Sequence, residues 1–332
     1  MSKIITLIVC AFALLGGSAS AADKMTIQLK WVTQAQFAGY YVAQAKGFYK
    51  DAGLDVTIKP GGPDIDPSQV LAGGGADVAV EWMPAALAAR EKGVPEVNIA
   101  QVFQRSGLEM TCRRDSGVRT PADFKGKTLG VWFSGNEYPF LSWMSKLGYQ
   151  TTGGPDGVTV LKQGFNVDPL LQKQAACIST MTYNEYWQLI EAGMTPSQLV
   201  VFKYEDEGVA TLEDGLYSTE GRIKDPVTRD RLARFVRASL RGWAYAISHQ
   251  AEAVNIVMAA DTSGALNLAH QTRQMGEIAK LVEGPEKPGY LSEAAANRTV
   301  RVLLTGSSKP VITHPPTGAW THVVWDQAFS TK

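Results

Sequence analysis

The sequence is short of several features, and each shortage excludes a class of protein. Its formal net charge is zero, with 32 basic and 32 acidic residues among 332, so it lacks the basic excess of nucleic-acid and anionic-membrane binders. Charged residues make up 19% of the chain and hydrophobic residues 45%, which excludes wholesale disorder and supplies a large core. After Leu15, no apolar run approaches the roughly 20 residues that span a bilayer.

The sequence also lacks the motifs of common enzymes. It has no glycine-rich dinucleotide fingerprint after a strand, no phosphate loop, no paired-histidine zinc motif and no nucleophile elbow. The glycines at 73–75 precede a predicted strand, which indicates a tight turn and no phosphate site. The four histidines are scattered among late helices: His249, His270, His314 and His322. We therefore expect a protein without catalytic residues, metal or cofactor.

The N-terminus has the pattern of a secretory signal peptide. Lys3 precedes an apolar run at 4–15, and Ala-Ser-Ala at 19–21 places small residues where signal peptidase cleaves. Cleavage is expected before Ala22, with Asp23 as the alternative. The sequence thus predicts a signal peptide at 1–21 and a soluble, periplasmic mature protein.

Two cysteines remain after that cleavage, Cys112 and Cys177. An oxidising compartment would allow them to pair, closing a long loop that contributes about 4 kcal/mol in the chain-entropy model. Each also lies in an apolar, strand-like run, where a free buried thiol is equally ordinary. The sequence leaves both alternatives open.

Apolar periodicity predicts alternating strands and helices followed by a helical C-terminal part. Strands are expected at 25–31, 54–58, 76–80, 97–103, 108–112, 128–132, 158–161, 177–181 and 199–202. The late helices are expected at 228–248, 250–260, 266–282, 292–304 and 317–329. This order predicts an α/β fold with two lobes, each a mostly parallel sheet flanked by helices. Lobe 1 is expected to be discontinuous, at 22–110 and 209–332, and lobe 2 is inserted at 111–208.

Aromatic and polar residues cluster where predicted strands end and helices begin. Ligands bind outside the carboxyl ends of strands in open parallel sheets. Aromatic faces suit a flat ring, and carboxylates and amides bind its nitrogens and amino groups. The expected ligand-binding residues are Trp31, Gln36, Phe37, Glu81, Trp82, Trp132, Ser134, Asn136, Glu137, Tyr138, Tyr183, Asn184, Glu185 and Trp187.

Several segments resemble periplasmic substrate-binding proteins of ABC importers, in the thiamine pyrimidine synthase-like branch beside the aliphatic sulfonate and taurine binders. They are LKWVTQAQFAGYYVAQAKGFYKDAGLDVTI (29–58), LAGGGADVAVEWMPAALAAREKGVP (71–95), DSGVRTPADFKGKTLGVWFSGNEYPFL (115–141), ISTMTYNEYW (178–187) and EGVATLEDGLYST (207–219). The resemblance implies a type II periplasmic-binding fold that closes around one small molecule. It also implies delivery to a permease and ATPase in the inner membrane, by a monomer with no nucleic-acid partner.

The same family includes a eukaryotic pyrimidine synthase, which consumes pyridoxal phosphate and one of its own histidines. By ungapped alignment, its cofactor lysine falls on Glu81, its histidine on Ala85 and its cysteine run on 208–213, which holds no cysteine. A carboxylate forms no Schiff base, so we expect a binding protein and no enzyme.

The charge of the predicted site favours one class of ligand, and the individual ligand stays open. Glu81, Glu137 and Glu185 would repel an anion, which favours a small nitrogen heterocycle over a sulfonate or taurine. A thiamine pyrimidine precursor and a riboflavin-like ring are close alternatives, because QAQFAGYY (34–41) resembles the riboflavin binders. Transport and ligand sensing use the same closing lobes, so the sequence leaves that choice open as well.

Overall fold

The computed structural model describes residues 21–284, 287–304 and 310–330. The predicted signal peptide, apart from its last residue, lies outside the described residues. Within them, no helix combines the length and apolar character that a membrane span requires.

Strands and α-helices alternate over much of the chain up to the last strand, although some strands follow one another without a helix between them. The described strands are β1 (Asp23–Gln28), β2 (Leu54–Lys59), β3 (Val78–Glu81), β4 (Glu96–Gln101), β5 (Leu108–Arg113), β6 (Thr128–Val131), β7 (Thr159–Lys162), β8 (Cys177–Met181), β9 (Leu199–Lys203) and β10 (Gly215–Thr219). The described helices are α1 (Ala38–Ala45), α2 (Phe48–Asp51), α3 (Pro67–Ala72), α4 (Met83–Glu91), α5 (Tyr138–Lys146), α6 (Asp168–Leu171), α7 (Glu185–Glu191), α8 (Glu220–Lys224), α9 (Pro226–Ser248), α10 (Gln250–Ala260), α11 (Leu268–Val282), α12 (Glu293–Leu304) and α13 (Val323–Phe329).

The strands form two five-stranded sheets with the same topology. The first has the order β2-β1-β3-β10-β4 and the second β7-β6-β8-β5-β9. In each sheet the strand that follows a crossing between lobes, β10 or β5, pairs antiparallel with both neighbours, and the other registered pairs are parallel. The expected two-lobed α/β architecture is confirmed.

Two segments connect the sheets, at 102–107 between β4 and β5 and at 204–214 between β9 and β10. Leu108 starts β5, so residues 108–110 belong to the second sheet although the predicted lobe boundary follows Met110. The predicted return near Gly208 lies inside the second connection. The exact division into lobes stays a prediction.

The C-terminal helix predicted at 317–329 is wrong in its first half, since α13 begins only at Val323. The preceding residues extend along the edge of β4 instead: the Asn98 amide donates to the Ala319 carbonyl at 2.9 Å, and the Thr321 amide donates to the Asn98 carbonyl at 3.0 Å. Hydrogen bonds to a sheet edge thus replace those of a helix. The short strand β10 is absent from the elements that periodicity predicts.

Cys112 and Cys177 form a disulfide, which decides between the two open alternatives. They are opposite each other in the register of β5 and β8, in the middle of the second sheet. The bond joins residues 65 apart, and closing such a loop contributes about 4 kcal/mol in the chain-entropy model.

Helices α1 and α9 touch through their backbones, which fixes the loop before α1. A Cβ atom on Gly242 would lie 2.1 Å from the Gly39 carbonyl oxygen, and one on Gly39 would lie 2.3 Å from the Trp243 ring. Any larger residue would push the helices apart. The 3-10 turn at Ala35–Phe37 precedes α1, so this packing also positions the side chains that follow β1.

Glu96 on β4 is a buried carboxyl group, and the Ser68 hydroxyl and the Arg90 charge only partly oppose the effect of burial on its pKa. Burial raises its pKa from 4.5 to about 8, because a low-dielectric interior disfavours the charged form. Between these pH values the folded protein holds a proton that the unfolded chain has released. The stability from the neutral carboxyl is therefore complete below pH 4.5 and is lost as the pH rises through 8.

We expect Glu96→Gln to flatten the fall in unfolding free energy between pH 4.5 and 8, because glutamine stays neutral. Urea unfolding at pH 5, 7 and 8 measures this: the variant should gain stability relative to the wild type as the pH rises. Parallel pH profiles of the two proteins would contradict the assignment.

Candidate functional site

A cavity lies between the two sheets and encloses about 350 Å³ of free space, its solvent-open part included. Its walls come from loops at the carboxyl ends of β1, β3, β6 and β8, as expected for parallel strands. The lining residues are Lys30, Trp31, Gln34, Gln36 and Trp82 on the first side and Trp132, Asn136, Met181, Tyr183, Asn184 and Glu185 on the second.

The buried carboxylate of Asp214 organises the first wall. It accepts a hydrogen bond from the Trp82 indole Nε1 at 2.8 Å and one from Gln36 Nε2 at 2.8 Å. Gln34 Nε2 donates in turn to Gln36 Oε1 at 2.6 Å, and Gln274 Nε2 donates to Gln34 Oε1 at 3.1 Å. This chain fixes one aromatic face and two amide groups at the cavity surface.

A buried ion pair lies beside this network. The Lys30 ammonium donates to the Glu81 carboxylate and lies 5.2 Å from the centre of the Trp82 ring, within the range of a cation–π contact. Glu81 also accepts the Trp82 backbone amide at 2.7 Å. Burial raises the pKa of Glu81, and Lys30 opposes that shift. The single lysine at the cavity is thus neutralised by its own partner.

The second wall is organised by Glu185, the first residue of α7. It accepts the Met181 backbone amide at 3.0 Å and the Asn184 side-chain amide at 2.8 Å. Burial raises its pKa to about 7. A group with that pKa is partly ionised at neutral pH, and its ionised form accepts a charge-assisted hydrogen bond from an amino group.

Trp132 and Asn136 complete this wall from the loop after β6. The Trp132 indole donates to the Gly164 carbonyl at 2.8 Å, and Asn136 Nδ2 donates to the Phe133 carbonyl at 2.7 Å. Both side chains are therefore held in place without a ligand, which lowers the entropy lost on binding.

Eight of the fourteen residues expected from the sequence line the cavity: Trp31, Gln36, Trp82, Trp132, Asn136, Tyr183, Asn184 and Glu185. Their assignment as ligand contacts stays a prediction. Three lining residues are outside the predicted set, namely Lys30, Gln34 and Met181. Gln34 lies two positions before Gln36, which belongs to the predicted set. The strand alternation places Lys30 on the polar face of the first predicted strand, and nothing in that pattern indicates that Lys30 pairs with Glu81.

The other six predicted residues lie elsewhere. Phe37 is fully buried in the first lobe's core, and Glu81 lies behind Lys30. Ser134 donates to the Pro63 carbonyl at 3.2 Å, and Glu137 accepts the Gly135 amide at 2.8 Å. Tyr138 packs against a separate apolar cluster. Trp187 donates to the Thr182 carbonyl at 3.0 Å.

The sequence pattern places Phe37 and Trp187 at the ligand because aromatic residues at helix starts fit either a core or a cleft. The structure decides between these two environments. Phe37, at the end of the 3-10 turn before α1, packs into the core, and the Trp187 ring on α7 lies 4.5 Å from the Arg273 guanidinium. Asp214, which no sequence signal identifies, lies 132 positions from Trp82.

Two characterised relatives are similar to this chain over most of its length. One is a formylaminopyrimidine-binding protein of Halalkalibacterium halodurans, 25% identical over 272 residues, which covers 81% of this chain and 79% of the relative. The other is the riboflavin-binding protein RibY of Chloroflexus aurantiacus, 24% identical over 242 residues, covering 70% and 65%. The hydroxymethylpyrimidine phosphate synthase THI11 of Saccharomyces cerevisiae matches only 33% of each chain, at 29% identity.

The fold has a solved counterpart in the periplasmic aliphatic sulphonate-binding protein SsuA of Escherichia coli. The two superpose with a TM-score of 0.62 over 84% of this chain and 85% of the other, at 11% identity. The TM-score shows a common fold, which confirms the two-lobed periplasmic-binding fold expected from the sequence. The model of the NMT1/THI5 like family matches residues 34–253, so this chain belongs to the NMT1/THI5 like family.

Proposed function

We propose that the protein is the periplasmic solute-binding component of an ABC importer and closes around a small nitrogen heterocycle. The observation that carries the proposal is the cavity itself: tryptophans from both lobes face one narrow space that also contains the ionisable Glu185. The 25% identity to a formylaminopyrimidine-binding protein over most of both chains supports the same ligand class. A periplasmic location and delivery to a permease and its ATPase belong to this proposal, as does a monomeric state.

The cavity's charge favours a neutral or amino-bearing ring over a sulfonate. Anion sites need an arginine or an unpaired cation, but no arginine lines the cavity in the described part of the chain, and Lys30 is paired with Glu81. Glu185 and Asp214 add acidic groups close to the ligand. A flat ring would stack on Trp82 or Trp132, and its amino group would donate to Glu185.

Similarity favours a thiamine pyrimidine precursor over riboflavin. The formylaminopyrimidine-binding protein aligns over 81% of this chain and 79% of its own length, against 70% and 65% for RibY. The similarity to RibY keeps riboflavin as the second candidate.

A synthase activity is not part of the proposal. The position aligned with the synthase lysine is Glu81, whose carboxylate is engaged by Lys30, and the position aligned with its histidine is Ala85. The chain therefore lacks both groups that the synthase reaction consumes or uses to hold pyridoxal phosphate.

At the cavity rim, the backbone of the second lobe lies against a side chain of the first. Gly135, in the loop after β6, has φ +93°, and a Cβ atom there would lie 2.6 Å from the Cβ of Ala85 on α4. Ser134 adds a hydrogen bond across the same gap, to the Pro63 carbonyl. Only glycine allows this approach.

A thermal-shift panel on refolded, ligand-free mature protein tests the function. It contains formylaminopyrimidine and hydroxymethylpyrimidine precursors, thiamine, riboflavin, taurine and an alkanesulfonate. We expect a pyrimidine at 100 times its Kd to stabilise the protein by about 2.7 kcal/mol, a shift of a few degrees. Stabilisation by the sulfonates alone would overturn the proposal.

Glu185→Gln should weaken binding of the stabilising ligand at least tenfold, about 1.4 kcal/mol, because the amide loses the charge that strengthens the hydrogen bond. Isothermal titration at pH 7.5 measures Kd. Glu109→Gln is the matched control: Glu109 is a buried carboxyl on β5 with a pKa also raised by burial to about 7, and it does not line the cavity. Equal losses in the two variants, or none in Glu185→Gln, would remove Glu185 from the site.

Gly135→Ala should weaken ligand binding about tenfold or more, since overpacking typically costs roughly 1–3 kcal/mol. Gly148→Ala is the control, because Gly148 has a similar φ of +77° but a Cβ atom there would meet nothing within 4 Å. Both variants should lose similar stability without ligand, and Gly135→Ala alone should lose affinity. An unchanged Kd for Gly135→Ala would show that the rim does not close tightly on the ligand.

A further inference from the structure

Arg273 on α11 contacts two side chains of the other lobe, both on α7. Helix α11 packs against α9, α10 and the 3-10 turn before α1, so it belongs with the first lobe, whereas α7 packs on β8 of the second sheet. The Arg273 guanidinium lies 4.5 Å from the centre of the Trp187 ring, within the range of a cation–π contact. Arg273 Nη1 also lies 3.4 Å from Glu191 Oε1. One arginine thus joins α11 to the first and last turns of α7.

The Trp187 ring connects this contact to the cavity wall. Its indole Nε1 donates to the Thr182 carbonyl at 3.0 Å. Thr182 is in the loop between β8 and α7, which also carries two cavity-lining residues, Tyr183 and Asn184. Arg273 itself does not line the cavity, so it reaches a bound ligand only through α7 and this loop.

The opposite end of α11 is anchored at the junction between the lobes. The Gln104 amide donates to the Leu281 carbonyl at 2.8 Å, and a Cβ atom on Gly107 would lie 2.9 Å from Leu281 Cδ1. Gln104 and Gly107 are both in the first connection between the sheets. Arg273 lies about 12 Å from Leu281 along the helix axis, at a rise of about 1.5 Å per residue. An opening rotation at the junction would therefore separate Arg273 from α7 while Leu281 stays in contact.

We infer that Arg273 is a positioning residue that holds the closed lobes together. Its contact with Trp187 and Glu191, here called the clasp, forms only in the closed arrangement and keeps the loop between β8 and α7 at the ligand. The inference rests on the proposed function and deepens it, and it gives Trp187 a role in closure. Because every group in the clasp belongs to the protein, the clasp stabilises the closed lobes before a ligand arrives. A larger closed fraction lowers the apparent Kd in proportion.

The cation–π contact is the main part of the clasp. Arg273 and Glu191 are each 41% exposed, so water screens their ion pair, which contributes little by itself. A guanidinium can lie flat on an aromatic ring, which a lysine ammonium cannot do. His270 Nδ1 lies 3.0 Å from Glu191 Oε2 in the same interface, and the clasp needs no charge on that ring. Substitutions of Arg273 and Trp187 should therefore have the largest effects.

Small-angle scattering of refolded, ligand-free mature protein tests the clasp without a ligand. We expect Arg273→Ala to have a larger radius of gyration than the wild type, because fewer molecules are closed. Arg241→Ala is the matched control and should keep the wild-type radius. Arg241 lies 3.8 Å from the centre of the Phe48 ring and 3.2 Å from an Asp51 oxygen, and all three residues are on α2 and α9 of the first lobe. Equal radii for Arg273→Ala and the wild type would overturn the inference.

Isothermal titration at pH 7.5, with formylaminopyrimidine and riboflavin as probes, measures the effect on binding. Arg273→Ala should bind about threefold more weakly or worse, and Arg241→Ala should bind like the wild type. Trp187→Phe and Trp187→Leu both lose the hydrogen bond to Thr182 and differ chiefly in the aromatic face, so Trp187→Phe should keep more affinity.

A double variant separates the clasp from a purely structural role. Adding Arg273→Ala to Trp187→Leu should cause little further loss of affinity, because the first substitution has already removed the cation–π contact. Fully additive losses, or equal affinities of Trp187→Phe and Trp187→Leu, would overturn the inference.

The two measurements also separate the clasp from the proposed ligand. If neither probe binds the wild type, the proposed ligand class is wrong, and the scattering still decides on the clasp. If a probe binds and Arg273→Ala keeps the wild-type Kd, the clasp is overturned whatever its radius, because a smaller closed fraction must weaken binding. Saturation with a binding probe should return Arg273→Ala to the wild-type radius. A radius that stays larger at saturation would indicate a damaged fold and would overturn the inference as well.

Discussion

The relative position of the lobes depends on one buried carboxylate, Glu213, in the second connection between the sheets. It accepts the backbone amides of Gly107 at 2.9 Å and Leu108 at 3.2 Å, together with the Ser106 hydroxyl. These three donors are in the first connection and at the start of β5. Two chain segments more than 100 positions apart are thus joined by one side chain, and any bending between the lobes has to occur around it. Glu213 is only 1% exposed, so little water reaches this junction, and burial raises the pKa of its carboxyl to about 8.

The next residue, Asp214, couples this junction to the cavity. Its carboxylate receives the Trp82 indole and the Gln36 amide, so consecutive side chains fix the hinge and the first wall. A change in the path of the connection therefore moves an aromatic face of the site. Buried carboxylates serve the same purpose elsewhere in the cleft: each gathers several donors, and each group that it binds is held in one orientation.

The sequence predicts the site where local rules apply. Carboxyl ends of parallel strands meet at one edge of a sheet, and that rule alone identifies Trp31, Trp82, Trp132 and Tyr183 as neighbours. It fails where the outcome depends on contacts between distant residues: Asp214 follows a connection with no periodic pattern, and Lys30 looks like a solvent-facing residue until Glu81 is placed opposite it. The position of Cys112 opposite Cys177 is a further example, because neither strand by itself shows which strand it pairs with 65 residues away.

The shared fold and the ligand class have separate physical causes in this family. Two sheets of identical topology provide a cleft whatever its occupant, which is why a sulphonate-binding protein superposes at 11% identity. The class of ligand is selected by the net charge of the cleft that remains after its charged side chains have paired with one another. Here Lys30 is paired with Glu81, Asp214 accepts two neutral side-chain donors, and Glu185, whose pKa burial raises to about 7, lines the cavity. An anion would meet negative charge in that cleft, whereas a ring with an amino group would supply Glu185 with a further donor beside the Met181 and Asn184 amides.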